Sequence, residues 1–270
     1  MNDSNLKVLL VEDNPVNQKV TVYQLKSLGY IADVSTSGQE ALQQFAGTGY
    51  DLVLTNCEMP GMDGYALSAA IRRLELEPTS DRQFPTVILG LSADSAPSEA
   101  AKCLAAGMNG VLNKPVRKEE LALTLEQWSQ KILRSRSGNA TQAPQPDSAI
   151  AAKSPNQDGC NPPLDWEHLH QMSDNSYEFE LELLSVFVED TQTHLKTVKG
   201  AIAASNFWEI EQAAHHIKGA SANVGAKTMQ AAAAEIEQQA RRQKMEQADH
   251  LVTEIEQALN LIEKFVQENN

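Results

Sequence analysis

Cysteine is scarce in this sequence, and long apolar runs are missing. The three cysteines, Cys57, Cys103 and Cys160, are scattered, with neither metal-ligand spacing nor the density of a secreted disulfide scaffold, so we expect a reducing compartment. No stretch is long enough to span a bilayer, and no basic region precedes an apolar run near the start. These features predict a soluble, cytoplasmic protein.

Positive charge is also in deficit. The chain has 22 Lys and Arg against 36 Asp and Glu, a formal net charge of -14. Residues 164–270 are the most acidic part, with 8 basic and 18 acidic side chains. Because such a surface repels phosphates, nucleic acid and anionic membranes are excluded as expected partners.

Nucleotide-binding motifs are absent as well. The sequence has no phosphate loop of the GxxxxGK[ST] type and no glycine-rich lid after a helix. We therefore do not expect the chain to use ATP unaided.

Residues 1–133 alternate short apolar runs with segments of helical period. The runs are LKVLLVED, IADVS, DLVLTN, TVILGLS and GVLN, and the helical segments include residues 17–28, 38–45, 65–74 and 119–132. Near-continuous Val, Leu and Ile runs are typical of buried parallel strands. The pattern predicts an α/β domain with a doubly wound, five-stranded parallel sheet of the flavodoxin-like type.

The remainder of the chain changes character twice. Residues 134–163 are rich in Ser, Ala, Asn, Gln and Pro and are predicted to be a flexible linker. Residues 164–270 show no strand pattern and place apolar residues three and four apart, which predicts an all-α four-helix bundle.

Polar side chains stand at the carboxyl ends of the predicted strands, where ligands bind in open α/β sheets. They are Glu12, Asp13, Asn56, Ser92 and Lys114. Carboxylates suit Mg²⁺, and a hydroxyl and an ammonium suit phosphoryl oxygens. The set indicates a phosphoryl-binding pocket.

The N-terminal half resembles the receiver domain of response regulators. The motifs VLLVEDNPVNQ, YDLVLTNCEMPGMDG, LSA and NKP carry the resemblance in order over some 130 residues. Two residues depart from the family pattern: Asn56 stands where the family has its phosphate-accepting aspartate, and Val111 stands where it usually has a Tyr or Phe.

Asn56 changes the expected chemistry, because a carboxamide has no anionic oxygen to attack phosphorus. We expect a pseudo-receiver used for docking. Two readings of the pocket stay open: residual Mg²⁺ binding by Glu12 and Asp13, or a polar network without a metal.

A histidine in the C-terminal half lies off the apolar stripe of its helix. The stripe consists of Ile210, Ala214, Ile217, Ser221 and Val224. At about 100° per residue, His215 falls well away from it, and Lys218 and Gly219 share its side of the helix. An imidazole beside an ammonium is suited to carry a phosphoryl group.

Here the sequence resembles the histidine-containing phosphotransfer (HPt) domain, whose pattern of His, two residues, Lys and Gly is met by HHIKGASANVGA. The resemblance implies that His215 carries the phosphoryl group, that Lys218 pairs with the phosphate, and that Glu237 holds the other imidazole nitrogen. It implies no bound cofactor in this domain. His216 points elsewhere, and a metal site made by both histidines is disfavoured because adjacent helical residues diverge.

The predicted function is phosphotransfer between receiver aspartates of partner proteins, with His215 as the carrier and with hybrid histidine kinases and response-regulator receiver domains as partners. Such a chain is a carrier and not an ATP-using kinase. The alternative is a scaffold that binds a kinase or regulator without carrying phosphate.

Overall fold

A computed structural model of the chain describes residues 6–76, 84–137 and 162–269. The chain folds into two compact units, one built around a β-sheet and the other around the C-terminal helices, and residues 12–24 belong to the second. Most of the predicted linker, residues 138–161 with Cys160, lies outside the described residues. Among the helices that the structure describes, none has the length and apolar character needed to cross a membrane.

The first unit contains a five-stranded parallel sheet in the order β2-β1-β3-β4-β5. The strands are β1 Val8–Val11, β2 Ala32–Ser35, β3 Leu52–Asn56, β4 Val87–Ser92 and β5 Gly110–Asn113. All residues of β1, β3 and β4 are buried, as expected for a sheet covered on both faces. The predicted doubly wound α/β fold is confirmed.

Helices alternate with these strands. They are α1 Pro15–Ser27, α2 Gly38–Gly47, α3 Gly64–Glu75, α4 Pro97–Ala105 and α5 Lys118–Ser137. Helix α4 lies outside the predicted helical segments and begins with a proline in its first turn, where the missing N–H costs no helical hydrogen bond. Helix α5 continues to Ser137, four residues into the stretch that the sequence assigns to the linker.

The second unit is a helical bundle. Its helices are α6 Trp166–Met172, α7 Tyr177–Ala203, α8 Phe207–Val224, α9 Lys227–Arg241 and α10 Ala248–Asn269. Helix α8 packs against α7 and α9, and α10 packs against the same two helices, so the four long helices enclose one core. The core includes Leu183, Phe187, Ile210, Ile236, Ile255 and Ile262. The predicted all-α bundle is confirmed.

Candidate functional site

The turn between α8 and α9 sets the register of the site. Only Gly225 and Ala226 separate the two helices. Gly225 has φ +73°, a left-handed conformation that favours glycine, and the Ala226 N–H donates to the Ser221 carbonyl over 2.9 Å. This turn makes α8 and α9 an antiparallel hairpin, so residues at similar distances from the turn face each other.

His215 and Glu237 meet across this hairpin, 22 residues apart in sequence. His215 Nδ1 lies 2.9 Å from Glu237 Oε1, and Lys218 Nζ donates to Glu237 Oε2 over 2.6 Å. The side chains of His215 and Lys218 are 27% and 24% exposed, whereas that of Glu237 is 5% exposed. The structure therefore brings the three predicted residues together, with the carboxylate beneath the imidazole and the ammonium.

The charge state of Glu237 determines which hydrogen bond His215 makes. Burial alone would raise the pKa of Glu237, but hydrogen bonds from His215 and Lys218 outweigh burial and lower that pKa to about 2. Glu237 is therefore ionised at neutral pH and only accepts hydrogen bonds. It follows that Nδ1 of His215 carries the proton, and Nε2 is the nitrogen whose lone pair is suited to attack.

Two further charged residues belong to this network and were missed by the sequence analysis. Arg241 donates from Nη2 to Glu237 Oε1 over 2.7 Å and from Nε to Glu211 Oε1 over 2.8 Å. Arg241 follows Glu237 by four residues on α9, a spacing that favours ion pairs on a helix. That spacing was the available signal for Arg241, and the signal for Glu211 was its position on α8 four residues before His215.

The remaining residues of α8 differ in the side of the helix on which they lie. All five residues of the predicted apolar stripe are buried, namely Ile210, Ala214, Ile217, Ser221 and Val224. Gly219, one turn after His215, is partly exposed. His216 is directed to α7, where its Nε2 lies 3.3 Å from Asp190 Oδ2, and not to the group around Glu237.

At the sheet, the predicted pocket residues all lie at the carboxyl ends of strands or directly after them. Asn56 and Ser92 are the last residues of β3 and β4, and Lys114 directly follows β5. Glu12 and Asp13 directly follow β1, whose last residue pairs with Thr55 of β3. Parallel strands thus bring these chain positions to one edge of the sheet.

The backbone around Asn56 is tightly fixed. Gly64, the first residue of α3, approaches so closely that a Cβ atom there would lie 2.3 Å from the Asn56 carbonyl oxygen. The Gly64 N–H donates to the Cys57 carbonyl over 3.1 Å. Asn56 itself is buried, and its Oδ1 accepts from the Glu58 N–H over 3.4 Å.

Ser92 and Glu12 also have protein partners. Ser92 donates from Oγ to the buried Glu99 Oε1 over 3.2 Å. Glu12 is fully buried, and its Oε1 accepts from Asn17 Nδ2 over 3.0 Å. The oxygen atoms of these side chains are of the type that coordinates Mg²⁺. Because the same oxygens already make hydrogen bonds within the protein, the pocket is only partly suited to a cation.

Comparison with known families agrees with this geometry. The family model described as "Response regulator receiver domain" matches residues 8–126, and the model described as "Hpt domain" matches residues 182–265. The chain therefore contains a receiver domain and an Hpt domain. These are domains of two-component phosphorelay signal transduction.

Several curated proteins are similar to parts of the chain. "Hybrid signal transduction histidine kinase B" of Dictyostelium discoideum is 41% identical over 124 residues, which are 44% of this chain and 6% of that protein. "Virulence sensor protein BvgS" of Bordetella bronchiseptica is 27% identical over 239 residues, 88% of this chain and 18% of that protein. The chain thus spans less than a fifth of the length of these relatives.

Solved structures give likenesses to the receiver domain. The receiver domain of sensor histidine kinase PA1611 from Pseudomonas aeruginosa is 36% identical, with a TM-score of 0.41, covering 46% of this chain and 98% of that one. The C-terminal receiver segment of Escherichia coli RcsC is 31% identical, with a TM-score of 0.41, covering 50% of this chain and 96% of that one.

Proposed function

We propose that this chain is a histidine phosphotransfer intermediate in which His215 accepts a phosphoryl group from a receiver aspartate of one partner and passes it to that of another. The observation that carries the proposal is the contact of His215 Nδ1 with an ionised, buried Glu237 inside an Hpt domain. That contact orients the ring and leaves Nε2 as the attacking nitrogen.

The chemistry needs no cofactor in the bundle. The lone pair of Nε2 forms the N–P bond while the P–O bond to the donor aspartate breaks, and its electrons return to that carboxylate. The Nδ1 proton stays in place, so the phosphorylated ring carries a positive charge. Glu237, 2.9 Å away, stabilises that charge as the carboxylate of a catalytic triad stabilises imidazolium.

Lys218 and Gly219 serve the phosphoryl group and the partner. Lys218 is three residues after His215, and in the structure its ammonium neutralises Glu237 at 2.6 Å. A long side chain, 24% exposed, reaches phosphoryl oxygens by rotating about its own bonds. Gly219 has no side chain, so a partner domain approaches the helix closely beside His215.

The receiver domain is proposed to act as a docking or regulatory module. Asn56 provides a carboxamide at the end of β3, and a carboxamide is not a nucleophile toward phosphorus. Deleting residues 1–133 should slow phosphoryl transfer from the partner kinase to His215, because the module would no longer hold the two proteins together. An unchanged rate, with the bundle still helical by circular dichroism, would contradict this role.

Magnesium at Glu12 and Asp13 is a separate prediction. Two carboxylates after β1 offer the oxygen ligands that Mg²⁺ takes. Calorimetric titration of the whole chain with MgCl₂ tests it: a binding isotherm that disappears in Asp13→Asn would support the ion, and no heat would leave a polar network without a metal. No step of the transfer at His215 depends on this ion.

The competing function is a scaffold that binds a kinase or regulator and carries no phosphate. Asn56 favours it, since the receiver domain lacks a carboxylate at that position. The two functions differ in one property, which is phosphorylation of His215.

The deciding experiment is transfer of labelled phosphate from an ATP-charged hybrid histidine kinase, or from its receiver domain, to three proteins: wild type, His215→Gln and His216→Gln. His216 is the matched control, because it is the next residue on the same helix and is directed to α7. We expect acid-labile label on wild type and His216→Gln and none on His215→Gln. An unlabelled wild type with every donor tested would favour the scaffold.

A further inference from the structure

A second cluster of side chains lies on the other side of His215, between α7 and α8. Asp190 and His194 are four residues apart on α7, so they share one face of that helix, and His216 reaches them from α8. One ligand atom from each residue lies within 4.8 Å of the other two. The two imidazole rings are stacked, with centroids 3.8 Å apart.

The distances within this cluster are longer than those of strong charged hydrogen bonds. His194 Nε2 lies 3.5 Å from Asp190 Oδ1, and His216 Nε2 lies 3.3 Å from Asp190 Oδ2. Charge-assisted N–H···O bonds are about 2.7–2.9 Å. Among the described residues, no hydrogen bond of standard geometry reaches Asp190 Oδ2 or His216 Nε2, and both atoms are buried. Burial alone would raise the pKa of Asp190, but the two histidines lower it to about 2, so the carboxylate is ionised. Buried polar atoms of this kind are sites where a bound ion or water can complete the hydrogen bonding.

We propose that Asp190, His194 and His216 form a binding site for a divalent transition metal, with Zn²⁺ as the best match. Two imidazoles and one carboxylate are a ligand set that Zn²⁺ takes, leaving a fourth position for water. With metal–ligand bonds of about 2.0–2.1 Å, neighbouring ligand atoms of a tetrahedral site are about 3.3 Å apart. The 3.3 and 3.5 Å separations involve different oxygens of Asp190, Oδ2 and Oδ1. One oxygen of this carboxylate and one nitrogen of each ring lie within 4.8 Å of one another, close enough for rotation of the side chains to reach that spacing.

The choice of metal follows from the ligands. Imidazole nitrogens suit Zn²⁺, Cu²⁺ and Ni²⁺, whereas Mg²⁺ and Ca²⁺ take oxygen ligands. A bound ion would join α7 to α8 beside the phosphotransfer histidine, because His215 and His216 are consecutive on α8. The site lies outside the group of His215, Lys218 and Glu237, so it stands whether or not His215 carries phosphate.

The test is calorimetric titration of the metal-stripped whole chain with ZnCl₂. We expect one equivalent of Zn²⁺ per wild-type chain. His194→Gln and Asp190→Asn should each weaken binding at least about tenfold, since even indirect supports of metal sites change affinity by that much. His250→Gln is the matched control, because His250 is an exposed histidine on α10 of the same bundle. The affinity of this variant for Zn²⁺ should equal that of wild type.

Two results would overturn the site. One is a wild-type chain that takes up no Zn²⁺, in which case the three residues form an ordinary ion pair of imidazoles and a carboxylate. The other is less than a tenfold loss in both variants, which would put the bound ion elsewhere. Circular dichroism identifies a variant that fails to fold, and Asp190→Asn, which keeps the shape of the side chain, then decides.

Discussion

The carboxyl edge of the sheet and the α8–α9 face of the bundle both hold polar groups suited to phosphoryl chemistry, but they differ in the residue where attack is needed. At the sheet that residue is Asn56, buried and closely approached by the start of α3. On the bundle it is His215, partly exposed and bonded to an ionised carboxylate. The difference teaches that the polar groups of a sheet edge can be present without a carboxylate at the end of β3, because their hydrogen bonds also stabilise the fold.

Restoring the carboxylate at the sheet should produce the largest change. In a His215→Gln background, Asn56→Asp should turn an unlabelled chain into one that accepts up to one phosphoryl group from acetyl phosphate with Mg²⁺, because an anionic oxygen then stands at the end of β3. Asn56→Gln is the control and should stay unlabelled. An unlabelled Asn56→Asp chain would mean that the sheet edge lacks more than a nucleophile.

Removing the charge beneath His215 should weaken the bundle site strongly. Glu237→Gln should slow phosphoryl transfer to His215 by about 10²-fold, because the amide neither fixes the Nδ1–H tautomer nor balances the charged ring. Single-turnover transfer from a phosphorylated receiver measures the rate. Glu235→Gln is the control, since Glu235 is exposed on the same helix and is bonded to Gln239; a matching loss there would argue against a specific role for Glu237.

Acid should remove the stability that Glu237 contributes. Its pKa is lowered from 4.5 to about 2, so the contribution is fully present above pH 4.5 and is lost as the pH falls toward 2. A shift of this size corresponds to roughly 3 kcal/mol. Urea unfolding of wild type and Glu237→Gln should show a difference in free energy near neutral pH that shrinks in acid. A difference independent of pH would contradict the ion pairing.

The smallest expected effect concerns Arg241. Its side chain is 54% exposed, so Arg241→Ala should cost less than about 1 kcal/mol in unfolding free energy. Transfer to His215 should change only a few-fold, because Glu237 keeps its bonds to His215 and Lys218. Arg242→Ala, an exposed arginine next along the chain, supplies the baseline for both measurements.

The sequence predicts most where periodicity and strand order decide the structure. The apolar runs predicted the five strands, and strand ends placed Asn56, Ser92 and Lys114 at one edge. The helical stripe of α8 was predicted because burial follows the 3.6-residue period. Within the candidate site, His215 and Lys218 follow from the same period.

The sequence does not reveal which residues of different helices are in contact. The cluster of Asp190, His194 and His216 draws on two helices, and no spacing along the chain relates position 216 to position 190. Glu211 is bonded to Arg241 on α9, 30 residues away in sequence. Helix α5 runs to Ser137 although its last turn has the composition of a linker, because arginine also has a high helix propensity.

The two-residue turn at Gly225 and Ala226 fixes which residues of α8 and α9 face each other. His215 lies ten residues before the turn and Glu237 eleven after it, so the lengths of the two helical arms bring the carboxylate to the ring. Inserting one residue into either arm would rotate one partner about 100° out of reach. Lengthening the turn, with both helices unchanged, would move His215 and Glu237 apart. The number of residues between a histidine and an acidic residue is therefore a criterion for finding other proteins with this arrangement, even where the residues in between differ.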